Sequence, residues 1–294
     1  MKIIDLINKG KEALLGRETA VLDAEVLLCN VLEVNREYLV AHRDEEVDKF
    51  ECSLFCEYLK QMGGGKPIAY ILGEKEFFGL NFFVDERVLI PRPETEHVVE
   101  KALDYLRAND ENGRRFRLLD VGTGSGCIPI SIAHGFFEAA AAEAGSLKGE
   151  IEQIDAVDIS EGALEVAKVN ISQYSFENLI HVFQSDLLEA VEEGEKYDLI
   201  VSNLPYIDEV DGPIEENVKK YEPHSALYGG ERGLELYKKM FQQMREKGVG
   251  FEMMIGEFGF GQGEEMRELL DNFFDQNWSI EKDHAGIDRI FIVS

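Results

Sequence analysis

Four consecutive residues, Asn203-Leu204-Pro205-Tyr206, carry the most specific chemistry in the chain. They follow an apolar run over residues 197–202 that reads as a buried strand. The Asn203 side-chain carbonyl can accept a hydrogen bond from a planar NH2 group. Leu204 precedes a proline, which pushes its backbone towards an extended conformation and restricts the direction of its carbonyl. That carbonyl can accept the second N–H. Tyr206 can stack on the flat group that bears the nitrogen. The tetrapeptide thus reads as a clamp for an amide or an aromatic amine. The competing reading is a strand-end Asx-turn with a packing tyrosine, which assigns it no substrate.

A second constellation precedes it. Residues 118–133 read as strand, glycine loop and helix, with Asp120 at the strand end and Gly122, Gly124 and Gly126 flanking Thr123 and Ser125. Glycines allow backbone to approach a ligand closely, and the helix N-terminus that follows offers free N–H groups. The spacing is GxGxG; a dinucleotide fingerprint would need its third glycine at position 127, which is Cys. Asp158 ends the next apolar strand, where a carboxylate can accept two ribose hydroxyls. Asp186, with Leu187 beside it, follows the third strand, where a carboxylate can accept from an adenine amino group. Each alone reads equally as a loop residue or a helix cap. In series with Asn203 on a fourth strand, they line the carboxyl edge of an open α/β sheet and point to a nucleoside-bearing cofactor.

The elements that must position these groups follow from periodicity. Residues 1–62 have apolar residues at helical spacing throughout, and Gly63-Gly64-Gly65 interrupts them. Residues 63–90 read as a connector containing a β-hairpin with Gly79 at its turn. From 91 to 294, strands expected at 116–121, 152–158, 180–184, 198–203 and 251–257 alternate with helices such as 162–173, 231–246 and 263–274. That alternation predicts an α/β fold, a parallel sheet with helices on both faces. Strands at 278–283 and 289–293, joined at Ala285-Gly286, predict an antiparallel addition at its edge. Residues 139–149 are expected to extend a helix and then loop. The Gly-rich tract 256–263 reads as a strand-to-helix loop. Arg92 and Glu94 lie in a proline-punctuated loop, where they cap the next helix or touch substrate; Thr95 reads equally as an N-cap or a site residue.

Composition narrows the partners. The 294-residue chain has a formal net charge of −28, distributed as −6 over residues 1–90 and −22 over the rest. Neither part is basic and no Lys/Arg cluster stands out, which weighs against direct nucleic-acid binding. Cys29, Cys52, Cys56 and Cys127 form no CxxC pair and no zinc pattern, so no metal is expected and free thiols in a reducing cytoplasm are. No apolar run is long enough to span a membrane, and the N-terminus lacks a signal-peptide core.

Further phrases carry a resemblance: Pro67-Ile-Ala-Tyr-Ile-Leu-Gly, Glu76-Phe-Phe-Gly-Leu, Leu89-Ile-Pro-Arg-Pro-Glu-Thr-Glu, Leu119-Asp-Val-Gly-Thr-Gly-Ser-Gly, Ala156-Val-Asp-Ile-Ser, Tyr221-Glu-Pro, Ala226-Leu-Tyr-Gly-Gly and Ala285-Gly-Ile-Asp-Arg. With them the chain resembles, over nearly its whole length, the class I S-adenosylmethionine-dependent methyltransferases. Among these it is similar to the release-factor glutamine N5-methyltransferases, the PrmC/HemK family. The resemblance implies a helical substrate-recognition domain at 1–62, a hairpin linker at 63–90 and a seven-stranded, Rossmann-like catalytic domain at 91–294. It implies that Gly122 to Gly126 and Asp158 hold S-adenosylmethionine. It also implies that Asn203 to Tyr206, with Arg92 nearby, hold the glutamine of the Gly-Gly-Gln motif of class 1 peptide release factors.

One position departs from the family pattern, which usually reads Asn-Pro-Pro-Tyr. Leu204 makes the motif resemble that of rRNA adenine dimethyltransferases. Its main-chain carbonyl is retained, while a branched side chain is expected beside the substrate. Adenine N6 methylation of rRNA or DNA, glutamine methylation of a ribosomal protein, and a non-catalytic cofactor-binding scaffold are therefore the alternatives.

Overall fold

The computed structural model describes residues 1–111, 113–142, 148–210, 214–283 and 285–294. They form two compact units, Met1–Glu74 with Glu216–Tyr221, and Lys75–Glu215 with Glu222–Ser294.

The first unit opens with α1 (Ile3–Ala13), α2 (Ala20–Leu32), α3 (Arg36–Ala41), α4 (Lys49–Gly63) and α5 (Ile68–Leu72). On α1, Ile3, Leu6 and Gly10 are buried, a stripe at helical spacing. Gly10 is where α1 meets α2: a Cβ there would lie 2.5 Å from the Ala24 Cβ. A reciprocal capping box starts α4, with Asp48 accepting from the Glu51 N–H and Glu51 from the Asp48 N–H. The helix α5 lies within the connector expected at 63–90, where no helix is expected. It spans five residues, Ile-Ala-Tyr-Ile-Leu, between Pro67 and the left-handed Gly73. So short and uniformly apolar a run shows no helical period.

The second unit, from Lys75, contains the hairpin of β1 (Glu74–Phe77), but for its first residue, and β2 (Leu80–Phe83), then α6 (Glu96–Ala108), β3 (Arg115–Val121), α7 (Cys127–Ala142), β4 (Glu150–Asp158), α8 (Glu161–Gln173), β5 (Ile180–Gln184) and β6 (Lys196–Asn203). After α9 (Glu216–Tyr221), which belongs to the first unit, come α10 (Glu235–Lys247), β7 (Gly250–Glu257), α11 (Gly263–Phe273), β8 (Trp278–Lys282) and β9 (Asp288–Val293). The helix expected at 231–246 begins at Glu235, because Arg232 and Gly233 have positive φ and hold a separate 3-10 turn. Of the expected helix-then-loop at 139–149, the helix runs to Ala142 and residues 143–147 lie outside the described residues.

Among the described residues, seven strands form one sheet in the order β5-β4-β3-β6-β7-β9-β8. The first five are parallel and β9 is antiparallel to both β7 and β8. The fold is thus Rossmann-like α/β with an antiparallel edge. Its strands are apolar on both sides because both faces are covered. Phe116 and Leu118 of β3, with Leu199 and Val201 of β6, enter one core with α6 and α7. Leu119, Val121 and Ile200 enter the other with α10 and α11. The chain runs outward from β3 through β4 to β5, then returns to place β6 on the other side of β3. Beyond the carboxyl ends of β3 and β6 lies the crevice that such a reversal opens.

Candidate active site

A cleft of about 230 Å3 occupies that crevice, wholly within the second unit. Of the residues singled out from sequence, Gly122, Thr123, Gly124, Ser125, Asp158, Asp186, Leu187, Asn203, Leu204, Pro205 and Arg92 all line it. Asp120, Gly126 and Tyr206 are not among the residues that line it.

The glycine loop is fastened to β4. Gly122 and Thr123 donate to the Val157 carbonyl at 2.8 and 2.9 Å, and Gly124 donates to Asp158 Oδ2 at 2.9 Å. Asp158 Oδ1 accepts from the Ser160 N–H at 2.9 Å. Burial raises the Asp158 carboxyl, while these two N–H groups favour its charged form. Each oxygen keeps a further lone pair for a ligand hydroxyl. Asp120, the last residue but one of β3, is fully buried, and among the described residues neither of its oxygens nor the Thr123 hydroxyl has a hydrogen-bond partner. Burial pushes the Asp120 carboxyl up to about 7 and the Asp158 charge adds to the rise, while the Thr123 hydroxyl, close by though outside hydrogen-bond geometry, offsets part of it. An orphaned carboxyl and hydroxyl under a glycine cradle fit a ligand that brings its own donors, as the ammonium and ribose of S-adenosylmethionine do. Asp186 faces the cleft less freely, since Lys239 Nζ lies 2.5 Å from its Oδ2.

Asn203 ends β6 in register with Glu257 at the end of β7. Its Nδ2 donates to Thr95 Oγ1 at 2.9 Å, and Thr95 Oγ1 donates to Glu257 Oε2 at 2.7 Å. Thr95 is 3 % exposed and Glu257 0 %. Thr95 makes no side-chain cap to the helix that follows it. The Tyr206 hydroxyl donates to Glu257 Oε1 at 3.3 Å, and Gln262 Nε2 donates to the Tyr206 carbonyl at 2.8 Å. Buried Glu257 thus gathers the two side chains at the ends of the tetrapeptide. Burial pushes its carboxyl up to about 7 against the Thr95 hydrogen bond, the Arg289 charge and the Tyr206 hydroxyl, with Glu94 adding to the rise.

Leu204 lines the cleft and also packs into the core. It is 2 % exposed and packs in the α10–α11 core, so its branched side chain is taken up by the fold. A Cβ on Gly122 would lie 3.1 Å from Leu204 Cδ2. Arg92 is held by Glu222, which accepts from Arg92 Nη2 at 2.6 Å and from the Ile90 N–H at 3.2 Å. Thr95, Glu222 and Glu257 thus support the site. Glu257 ends a strand just as Asp158 does, and the strand-end rule extended to β7 identifies it. Glu222 has no local signal beyond the Tyr221-Glu-Pro phrase.

Comparison with known proteins agrees with this architecture. Residues 5–73 match the family model of the PrmC N-terminal domain and residues 102–218 that of the methyltransferase small domain. The chain is 35 % identical to the release factor glutamine methyltransferase of Koribacter versatilis, over 92 % of this chain and 90 % of that one. It is 33 % identical to that of Clostridium acetobutylicum, over 99 % and 98 %. The human METTL16 catalytic domain, solved with a MAT2A 3'UTR hairpin, shares the fold alone, at 15 % identity with a TM-score of 0.51 over 84 % of this chain and 82 % of that one. Similarity at this level along nearly the whole of both curated relatives makes the chain a member of the release factor glutamine methyltransferase family.

Proposed function

We propose that the chain transfers a methyl group from S-adenosylmethionine to the side-chain amide nitrogen of a glutamine, the one in the Gly-Gly-Gln motif of class 1 peptide release factors. One observation carries the reading at the site: Asn203 gives its NH2 to Thr95 and keeps Oδ1 as an acceptor at the cleft. S-adenosylmethionine, when bound, supplies an electrophilic methyl group on a sulfonium. Gly122 to Gly126, Asp120, Asp158, Asp186 and Leu187 are the residues that hold it in this reading.

The remaining work falls to Asn203 to Tyr206. An amide nitrogen is a poor nucleophile because its lone pair is delocalised into the carbonyl. Asn203 Oδ1 and the Leu204 carbonyl bind its two hydrogens and hold the nitrogen towards the methyl donor. As that nitrogen gains positive charge, both acceptors bind more strongly, which is stabilisation specific to the transition state. No base is needed while the N–C bond forms and the methyl group's bond to sulfur breaks to leave a neutral thioether; the surplus proton on the amide nitrogen passes to water afterwards. Tyr206, tied to Glu257, braces the motif, and Arg92 is placed to meet the substrate chain. The acidic surface opposes RNA, and Leu204 loses its force as a sign of adenine chemistry because its side chain belongs to the core. We assign factor recognition to the helical residues 1–62, joined through 63–90 to the catalytic residues 91–294, in the cytoplasm. The match to the PrmC N-terminal domain supports the first of these assignments.

The test is to incubate the protein and methyl-labelled S-adenosylmethionine with a class 1 release factor, with the same factor carrying Gln→Ala in its Gly-Gly-Gln motif, and with rRNA. Label on the first alone is expected. Label on rRNA alone overturns the reading. Asn203→Ala is expected to bind the cofactor within about twofold of wild type while losing at least roughly a hundredfold in turnover.

A further inference from the structure

A hydrogen-bond chain behind the clamp has a direction. Thr95 has one hydroxyl hydrogen, and Glu257, once ionised above about pH 7, has none to give. Glu257, Thr95 and Asn203 lie in sequence at 2.7 and 2.9 Å, the first two almost completely buried, so no bulk water supplies substitute partners. With its hydrogen committed to Glu257, Thr95 can only accept from Asn203. The Asn203 amide must then present NH2 to Thr95 and Oδ1 to the cleft. Either amide group fills the same space, so shape alone does not choose between them.

We infer that Thr95 and Glu257 are positioning residues that set the polarity of the Asn203 amide, and so determine that the cleft offers an acceptor to a substrate NH2. The inference rests on the amide-methylation reading above. A reversed Asn203 would point N–H at the N–H of the substrate and remove the acceptor on which the transition state depends. Glu257 is held in place by groups from several elements. The Tyr206 hydroxyl donates to its other oxygen, Arg289 of β9 supplies positive charge, Glu94 supplies opposing charge beside Thr95, and the Tyr237 hydroxyl donates to its main-chain carbonyl at 2.6 Å. The same carboxylate thereby fixes Tyr206, and both ends of the tetrapeptide depend on it.

The test compares Thr95→Ser, which keeps the hydroxyl, with Thr95→Val, which keeps the shape and removes it, and with Glu257→Gln. Turnover and KM on the release factor, cofactor affinity by calorimetry, and the side-chain resonance of Asn203 in 15N-Asn-labelled protein are measured for each; Asn203→Ala assigns that resonance. Thr95→Val is expected to lower kcat roughly 10- to 100-fold with cofactor affinity within about twofold, as misplacement of one reacting group does. Thr95→Ser should return kcat to within about threefold of wild type. The Asn203 NH2 signal should be protected from exchange in wild type and Thr95→Ser, and lose that protection in Thr95→Val. Glu257→Gln can still accept from Thr95 but can also donate, and is expected to fall between the two. Equal kcat in Thr95→Val and wild type, or an Asn203 signal unchanged by Thr95→Val, overturns the relay. If label goes to rRNA and not to the release factor, the functional reading fails and the Asn203 resonance decides the relay alone.

Discussion

Arg92 and Glu222 pose the sharpest question at the scale of single residues. The Glu222 side chain is 1 % exposed and that of Arg92 31 %, at 2.6 Å. A carboxylate that deeply buried depends on its partner. Arg92→Ala strands Glu222 with only the Ile90 N–H, and should cost about 3 kcal/mol in denaturant unfolding, within the range for breaking one side of a buried pair. Adding Glu222→Gln removes the stranded charge, so the double variant should recover at least about 1 kcal/mol of that loss. A double variant no more stable than Arg92→Ala would show that the cost lies in packing of the arginine stem. If Arg92 also meets the substrate, KM for the release factor stays raised in the double variant while stability returns. None of this was legible in sequence. Glu222 is one of 58 acidic residues, and only the fold brings it to an arginine 130 positions earlier. Glu257, by contrast, closes an expected strand, and the strand-end rule reaches it.

At the scale of elements, most of the sheet was legible because buried parallel strands are short apolar runs closed by turn residues. The strand expected at 180–184 is β5 itself, and the other expected strands of the sheet differ from those observed by at most two residues at either end. What sequence could not carry was lateral order: nothing in residues 288–293 says that β9 inserts between β7 and β8. Nor could it say which glycines of the loop are required by protein and which by ligand. The structure separates these. Gly122 and Gly124 have φ of 81° and 55°. A Cβ at Gly122 would press on Leu204 Cδ2 at 3.1 Å, whereas at Gly124 it would meet nothing within 4 Å. Each alanine pays about 1–2 kcal/mol for the left-handed backbone. Gly122→Ala should cost a further ~0.5–1 kcal/mol, which disappears when Leu204→Ala supplies room, a coupling that denaturant unfolding can measure. Gly124→Ala should cost only the backbone amount yet weaken S-adenosylmethionine by calorimetry at least about tenfold, since the space that its methyl group fills is the cleft. Unchanged affinity in Gly124→Ala would remove that part of the loop from the cofactor site.

At the scale of the whole molecule, two of the buried carboxyl groups among the described residues, Asp120 and Glu257, are fully enclosed within a chain of net charge −28. Both have folded values of about 7, against ordinary values of 3.8 and 4.5. A carboxyl raised on folding binds its proton more tightly in the folded state. It therefore contributes stability that is fully present below about pH 4 and is lost as pH rises through about 7. General repulsion among exposed carboxylates adds the same trend, but salt screens it and leaves buried groups almost untouched. Unfolding free energy at 0.5 M salt is thus expected to fall between pH 5 and pH 8, with Asp120 contributing on the order of 2–4 kcal/mol of that decline. Asp120→Asn cannot ionise, so its profile should be flatter by about that amount and cross the wild-type curve as the pH rises. S-adenosylmethionine should oppose the decline in wild type, because an ammonium donor favours the charged Asp120, and should do so less in Asp120→Asn. Parallel profiles for the two proteins would mean that Asp120 stays neutral throughout the range. The orphaned carboxyl would then be a donor to the cofactor and not an acceptor from it.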